Sequence, residues 1–288
     1  MSVLIIPFTK MSGAGNDFVV VDNRGRILED DGSAFARVVS HRRKGIGADG
    51  VLLLERSSNA DFLMKYYNAD GSYGGFCGNG GRCIARFAFL NGVGSSKLTF
   101  EALGRLYDAE VNGDQVRLKM QDPNRERLNI GLEVDGKTLK MHSIDTGAPH
   151  VVIFLDENPT FATEEISSLD VPRLGREIRY HSSFGEGGTN VNFVKVNNDT
   201  SIRMRTYERG VEGETLACGT GAVACALIAS RVKGHSSPQM IIPKSNEALK
   251  VEYLNVNDRF VDISLEGNAE IVYEGKMKYD PIGQRLME

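Results

Sequence analysis

Apolar and polar positions alternate with a short period through most of this chain, and that rhythm predicts strands far more often than helices. Val3–Phe8 reads as a strand, and Phe18–Val21 as a buried one. Ser33–His41 breaks the rhythm: Ser33 is a candidate cap, and Phe35, Val38 and Val39 share a helical face. Val51–Glu55 and Asp61–Tyr67 return to strand, the second alternating in polarity. A mostly apolar helical run then extends from Gly81 to Leu90, with Gly92 as its stop. Lys97–Glu101, Leu106–Val111 and Val116–Met120 follow as strands, joined by turns such as Asn112-Gly113-Asp114. Asp122-Pro123-Asn124 interrupts the pattern.

The second half repeats the style. Leu139–Ile144 and Val151–Leu155 read as strands around Asp145-Thr-Gly-Ala-Pro-His150, and Thr163–Leu169 and Val171–Tyr180 carry short helical signals. Gly188-Thr189-Asn190 enters a strand as Gly15-Asn16-Asp17 does before it. Ile202–Tyr207 is a strand, Ala222–Ala229 an all-apolar helix stopped at Gly234, and Met240–Ile242, Leu249–Leu254, Phe260–Leu265 and Ala269–Tyr273 are further strands. A helix apolar on every side is a buried one. The expectation is therefore an α+β protein of two similar domains, residues 1–122 with 277–288 and residues 123–276. Each is a curled, mostly antiparallel sheet around a central buried helix, the pair related by a pseudo-two-fold with the active site in the cleft.

Composition narrows the class. With 41% hydrophobic and 25% charged residues the 288-residue chain is ordinarily globular, and a net charge of −4 speaks against a nucleic-acid surface. No apolar run reaches membrane-spanning length, and the first residues lack the features of a signal peptide, so a cytoplasmic protein is expected. Four cysteines in a reducing compartment are expected as thiols, and without a CxxC pair no metal site is expected. The glycine-rich Arg43–Gly50 loop fits neither nucleotide-binding pattern.

The candidate chemistry lies in Cys77-Gly-Asn-Gly80 and Cys218-Gly-Thr-Gly221, about half a chain length apart, each leading into a buried helix. A thiol at a helix start is biased toward thiolate. The unpaired N–H groups beside it bind a carboxylate, and the glycines let it approach. Two such ends facing each other would remove a proton from one face of a carbon and return one to the other. Cys83 and Cys225, inside the apolar runs, read as small core residues. Asn16, in a glycine turn, either bonds its own backbone or presents its amide to a ligand.

With these residues the chain resembles the diaminopimelate epimerases. Lys10-Met-Ser-Gly-Ala-Gly-Asn-Asp-Phe18, Gly45-Ile-Gly-Ala-Asp-Gly50, Asn68-Ala-Asp-Gly-Ser72, Cys77–Cys83, Gly147-Ala-Pro-His150, Gly188-Thr-Asn190, Tyr207-Glu-Arg-Gly210 and Ala217-Cys-Gly-Thr-Gly221 occur in the family's order. The resemblance implies a cofactor-independent isomerase of lysine biosynthesis that interconverts LL- and meso-2,6-diaminopimelate, working as a homodimer. It implies Cys77 and Cys218 as the acid/base pair, with His150 and Glu208 setting their protonation. Gly78, Asn79, Gly219 and Thr220 would hold the reacting carboxylate, and Asn16, Asn68, Asn190, Glu208 and Arg209 would line the pocket. Two positions depart: family members often carry glutamine at Gly50 and asparagine at Ala148. A proline-type racemase, a phenazine-type isomerase and a non-catalytic amino-acid-binding protein are the alternatives. The paired cysteines speak against the last two, and the extra polar set against the first.

Overall fold

The structure is a computed structural model and describes residues 3–28, 32–161 and 165–287. Its elements in chain order are β1 (Leu4–Gly13), β2 (Asn16–Asp22), α1 (Ser33–Ser40), β3 (Gly50–Glu55), β4 (Phe62–Asn68), α2 (Gly78–Leu90), β5 (Lys97–Ala102), β6 (Arg105–Asn112) and β7 (Gln115–Lys119). Then come β8 (Asn124–Val134), β9 (Lys137–Asp145), β10 (Pro149–Phe154), α3 (Val171–Arg179), β11 (Asn190–Asn198), β12 (Ser201–Glu208), β13 (Gly213–Thr215) and α4 (Gly219–Lys233). The chain closes with β14 (Gln239–Ile242), β15 (Leu249–Val256), β16 (Arg259–Asn268), β17 (Glu270–Asp280) and β18 (Arg285–Met287). It divides into two compact units, one running to Leu118 and resuming at Gly267, the other spanning Lys119–Glu266.

Both units follow one topology. In the first, neighbouring strands run β17-β1-β2-β3-β4-β5-β6-β7, antiparallel except at the parallel steps β2–β3 and β4–β5. In the second they run β8-β9-β10-β11-β12-β14-β15-β16, with parallel steps at β10–β11 and β12–β14 in the same places. A parallel step needs a crossover. Accordingly α1 and α2 bridge the two steps of the first unit, and α3 and α4 those of the second. Helix α2 touches strands from β1 through β6, and α4 touches β9 to β12, β14 and β15. So many strands reach one short helix only if the sheet curls around it, as the apolar runs led us to expect.

The crossovers explain the uninterrupted apolar stretches in β2, β3 and β10. Val19, Val21, Val51 and Leu53 pack into one core with Phe35 and Val39 of α1, while Leu52 turns the other way, toward Gly80 of α2. Likewise Val151, Ile153, Val191 and Phe193 pack with Val171, Leu174 and Ile178 of α3. Strands covered on both faces lose their alternation. Each fully buried Val, Leu or Phe contributes about 1.5–3 kcal/mol. By the two-residue period, His150, Asn190 and Asn192 lie on the opposite face of β10 and β11. That face carries the chemistry.

Two local expectations change. Ser33 does not occupy the cap of α1: Gly32 does, at φ 79°, and the Ser33 hydroxyl donates to the Gly71 carbonyl at 2.7 Å. The left-handed conformation before the helix favours glycine, which moves the start one residue earlier. Part of the Thr163–Leu169 signal, including Thr163, lies outside the described residues, and Ile166–Ser168 forms a single 3-10 turn. Asp170 caps α3 by accepting from the Arg173 N–H, and Gly234 at φ 74° ends α4.

Candidate active site

Cys77 and Cys218 hold the same position in the repeated topology. Each is the N-cap of the helix on its unit's second parallel step, with extended backbone at φ −126° in both cases and ψ of 123° and 113°. The Cys77 carbonyl accepts from the Gly81 N–H at 2.7 Å, and the Cys218 carbonyl from the Ala222 N–H at 2.9 Å. Gly78, Asn79, Gly219 and Thr220 lie in the first turns of these helices, where N–H groups point out of the helix end. They are suited to an anion beside each sulfur. Cys218 is 6% exposed and Cys77 half-buried, whereas Cys83 and Cys225 are fully buried. Burial pushes the Cys225 thiol well up, which suits a core residue.

In the first unit a line of side chains runs from the helix to the surface. Arg82, fully buried in α2, donates through Nη2 to Asn79 Oδ1 at 3.0 Å. Asn79 Nδ2 donates to Asn16 Oδ1 at 2.6 Å, and Asn16 Nδ2 donates to Asp49 Oδ2 at 3.0 Å. Arg42 closes the line on Asp49 and also pairs with Asp17, which takes a second cation from Lys10. These partners outweigh the desolvation of Asp17 and hold its carboxyl down at about 2. Asn68, at the end of β4, stands opposite Gly50 in register and donates to the Ser72 hydroxyl at 3.0 Å.

Gly50 has a physical reason to lack a side chain. A Cβ there would lie 2.4 Å from the Tyr67 carbonyl oxygen and 2.6 Å from Tyr66 Cε2. A Cβ on Gly74 would lie 2.4 Å from Tyr66 Cε1. The Tyr66 ring thus fills the space between two glycines, braced edge-on by Phe18 at 5.9 Å between centroids.

In the second unit His150, fully buried on β10, lies 2.9 Å through Nε2 from Thr220 Oγ1, and that hydroxyl lies 3.6 Å from Cys218 Sγ. His150 therefore reaches the sulfur through Thr220. Burial, helped by the charge of Arg209, lowers its pKa to about 3 and keeps the ring neutral. Asn192 Nδ2 lies 3.2 Å from His150 Nδ1. Thr146 donates to the Thr220 carbonyl at 2.9 Å.

Asn190 donates to the Pro149 carbonyl at 2.9 Å and accepts from the Arg209 N–H at 2.8 Å, which ties the start of β11 to the turn after β12. Glu208 ends β12, and burial pushes its carboxyl up against the opposing bond from Thr215. Arg209 is exposed. Thus Asn16, Asn68 and the Cys77–Asn79 turn belong to the first unit, and the other expected residues to the second. Sequence reasoning passed over Asp49, Arg82, Tyr66 and Asn192.

A sequence model of the diaminopimelate epimerase family matches residues 8–126 and 142–272. The diaminopimelate epimerase of Chlorobaculum tepidum is 43% identical over 271 residues, covering 92% of this chain and 98% of that protein. That of Hydrogenobaculum is 40% identical, covering 94% of this chain and 98% of its own length, and that of Archaeoglobus fulgidus 40%, covering 96% and 98%. Among solved structures, a Bacillus anthracis phenazine biosynthesis protein of the PhzF family aligns with a TM-score of 0.71 at 14% identity over 96% of this chain and 99% of its own. A probable proline racemase from Agrobacterium radiobacter aligns with a TM-score of 0.70 at 15% identity over 97% and 96%. At such identities these two share the fold.

Proposed function

The chain belongs to the diaminopimelate epimerase family, and from that membership we propose that it interconverts LL- and meso-2,6-diaminopimelate by inverting one α-carbon with Cys77 and Cys218 as the acid/base pair. One sulfur, as thiolate, takes the α-proton and becomes a thiol. The electron pair left behind delocalises into the α-carboxylate. The other sulfur, as thiol, delivers its proton to the opposite face and becomes the thiolate. Reversal of the roles runs the reaction backward, and no cofactor enters the balance. The product serves lysine biosynthesis.

The observation that carries this reading is the equivalence of the two cysteines, each the N-cap of a buried helix at the same step of a repeated topology. At each end the first-turn N–H groups stabilise negative charge on the carboxylate as it grows. Asn16, Asn68 and Asn190 bind the amino-acid groups, Glu208 accepts from an ammonium, and Arg209 forks onto the distal carboxylate. Through Thr220, His150 sets the hydrogen bonding of Cys218. The homodimer implied by the family resemblance belongs to the same proposal, and sedimentation in solution tests it. Among the described residues no helix is long and apolar enough to cross a membrane.

The test is solvent exchange. In deuterated water, with reductant and without pyridoxal phosphate, the protein is expected to place deuterium at an α-carbon of LL-diaminopimelate as the meso isomer appears. Cys77→Ser and Cys218→Ser are each expected to abolish epimerisation. Exchange with proline but none with diaminopimelate would overturn the substrate. Full epimerisation in either serine variant would overturn the mechanism.

A further inference from the structure

Asn192 is no part of the expected site, yet it begins a line of polar atoms that runs through His150 and Thr220 and ends on Cys218. Its Oδ1 accepts from the Thr206 hydroxyl at 2.9 Å. Its Nδ2 donates to the Val151 carbonyl, an acceptor and nothing else, at 2.8 Å. The bond to the carbonyl fixes which end of the amide is nitrogen, and the Thr206 hydroxyl donates accordingly. The second hydrogen of that nitrogen meets His150 Nδ1 at 3.2 Å. Nδ1 must then be an acceptor, which puts the ring proton on Nε2. Nε2–H donates to Thr220 Oγ1 at 2.9 Å, which leaves the Thr220 hydroxyl proton available to a Cys218 thiolate, its sulfur 3.6 Å away.

We propose that Asn192 is a positioning residue: it locks His150 as the Nε2–H tautomer and thereby aims the Thr220 hydroxyl at the Cys218 sulfur as a donor to the thiolate. The inference deepens the proposed acid/base role of Cys218 and rests on that reading for its place in the reaction. Space for the line is part of its construction. A Cβ on Gly221 would lie 2.6 Å from Asn192 Oδ1 and 3.3 Å from Cys218 Sγ, so the last residue of Cys-Gly-Thr-Gly leaves room for the locking amide. Asn192 is itself fully buried, as is His150. Within this unit, other charged or titratable groups bear on the line. Arg209 acts on His150, Cys225 interacts with Cys218, and Glu208 stands beside Arg209 at the end of β12. The equivalent position of the first unit carries no amide. The strand partner of Phe18, which corresponds to His150, is Gly50, and two residues further along β3 comes Leu52.

The test reads the tautomer and the thiol without substrate. In ¹⁵N spectra of the intact protein, His150 is expected to show a pyridine-type Nδ1 and a pyrrole-type Nε2, and Asn192→Leu is expected to mix the two forms. In a Cys77→Ser background, the pH midpoint for iodoacetamide alkylation of Cys218, followed by mass spectrometry, is expected to rise by about one unit in Thr220→Val. Thr220→Ser, which keeps the hydroxyl, is expected to hold the parent midpoint, and Asn192→Leu to move it part of the way toward Thr220→Val. A pyrrole-type Nδ1 in the unsubstituted protein, or equal midpoints in Thr220→Val and Thr220→Ser, would overturn the proposal. Neither depends on Asn192→Leu folding. If the shifts appear and diaminopimelate is not epimerised, the line stands and the substrate reading falls.

Discussion

Asn79 donates its side-chain N–H to Asn16 Oδ1 at 2.6 Å, and this bond joins a fully buried cation to the half-buried Asp49 carboxylate. The direction is forced. Arg82 has only donors, so the Asn79 oxygen faces it and the Asn79 nitrogen faces Asn16. The Asn16 nitrogen is then left to Asp49, a pure acceptor. The amide expected to read substrate is therefore held with a known end toward the protein.

Asp49→Asn removes that certainty, because an amide at position 49 accepts or donates and lets Asn16 turn over. The expected cost is about tenfold in kcat/KM, on the scale of one hydrogen bond to a charged group, and carried mostly by KM. Arg82→Lys keeps a donor at the other end and is expected to cost less than Arg82→Met. Steady-state kinetics of the three variants check this, and an unchanged KM in Asp49→Asn would detach Asn16 from substrate binding.

The Tyr66 ring wedged between Gly50 and Gly74 makes two glycine substitutions differ in a checkable way. At Gly74 the obstacles to a Cβ are the Tyr66 ring, at 2.4 and 2.5 Å, and Asn68 Oδ1 at 3.2 Å. Gly74→Ala is expected to destabilise by about 1–3 kcal/mol, the usual range for overpacking. Adding Tyr66→Leu is expected to recover most of that loss. At Gly50 the nearest obstacle is the Tyr67 backbone oxygen, so Tyr66→Leu is expected to leave Gly50→Ala unrescued. Chemical denaturation of the four variants decides it, and equal rescue at both glycines would show that the ring is the common obstacle.

What was legible in the sequence follows the range of the forces involved. The cysteine caps were readable because a helix start is set within a few residues: Cys-Gly-X-Gly before an apolar run contains its own instructions. The topology came through in outline because β2, β3 and β10 are apolar on both faces. Arg82 was not readable. It sits in an apolar run, and the carbonyl it reaches besides Asn79 belongs to Asn268, 186 residues away. Asn192 did leave a signal, since in Asn190-Val-Asn-Phe the two asparagines alternate onto one strand face. That the face is covered by α4 and shared with His150 depends on a parallel pairing across 40 residues of sequence. Ser33 illustrates the reverse error, a good capping residue displaced by the left-handed glycine before it.

His150 sets a pH dependence of stability with a definite sign. Its folded-state pKa, about 3, lies below the ordinary histidine value of 6.5, so the unfolded chain binds a proton first as pH falls. Stability is therefore unaffected by this group above about pH 6.5 and falls through the window from there toward 3, by roughly 1.4 kcal/mol per pH unit. Asp17 acts lower down: held at about 2 against an ordinary carboxyl value of 3.8, it stabilises above that value and its contribution is lost as pH drops toward 2. Melting temperatures from pH 7.5 to 4.5 are expected to decline in the unsubstituted protein and to decline less in His150→Gln. Equal slopes would show that His150 is not the group being charged.

Ala148 is the counterpart of Asn16 in the duplicated topology. Asn16 stands two residues before Phe18, which pairs with Gly50 across the parallel step, and Ala148 stands two residues before His150, which pairs with Asn190. The asparagine is thus present in one repeat and missing from the other. At position 148 the side chain is partly exposed, and the Ala148 carbonyl accepts from the Thr146 N–H at 3.1 Å, a bond that an asparagine leaves intact. A following proline restricts the residue to extended backbone, which asparagine also adopts. Ala148→Asn is therefore expected to change stability by no more than about 0.5 kcal/mol, as surface substitutions usually do. Turnover is expected to stay within roughly threefold of the parent, a difference of less than 1 kcal/mol. Asn16→Ala, which breaks the line from Arg82 to Asp49, is expected to lose far more. Comparable losses in the two variants would mean that both repeats depend on the side chain at this position, and that the missing amide marks a pocket already filled by its neighbours.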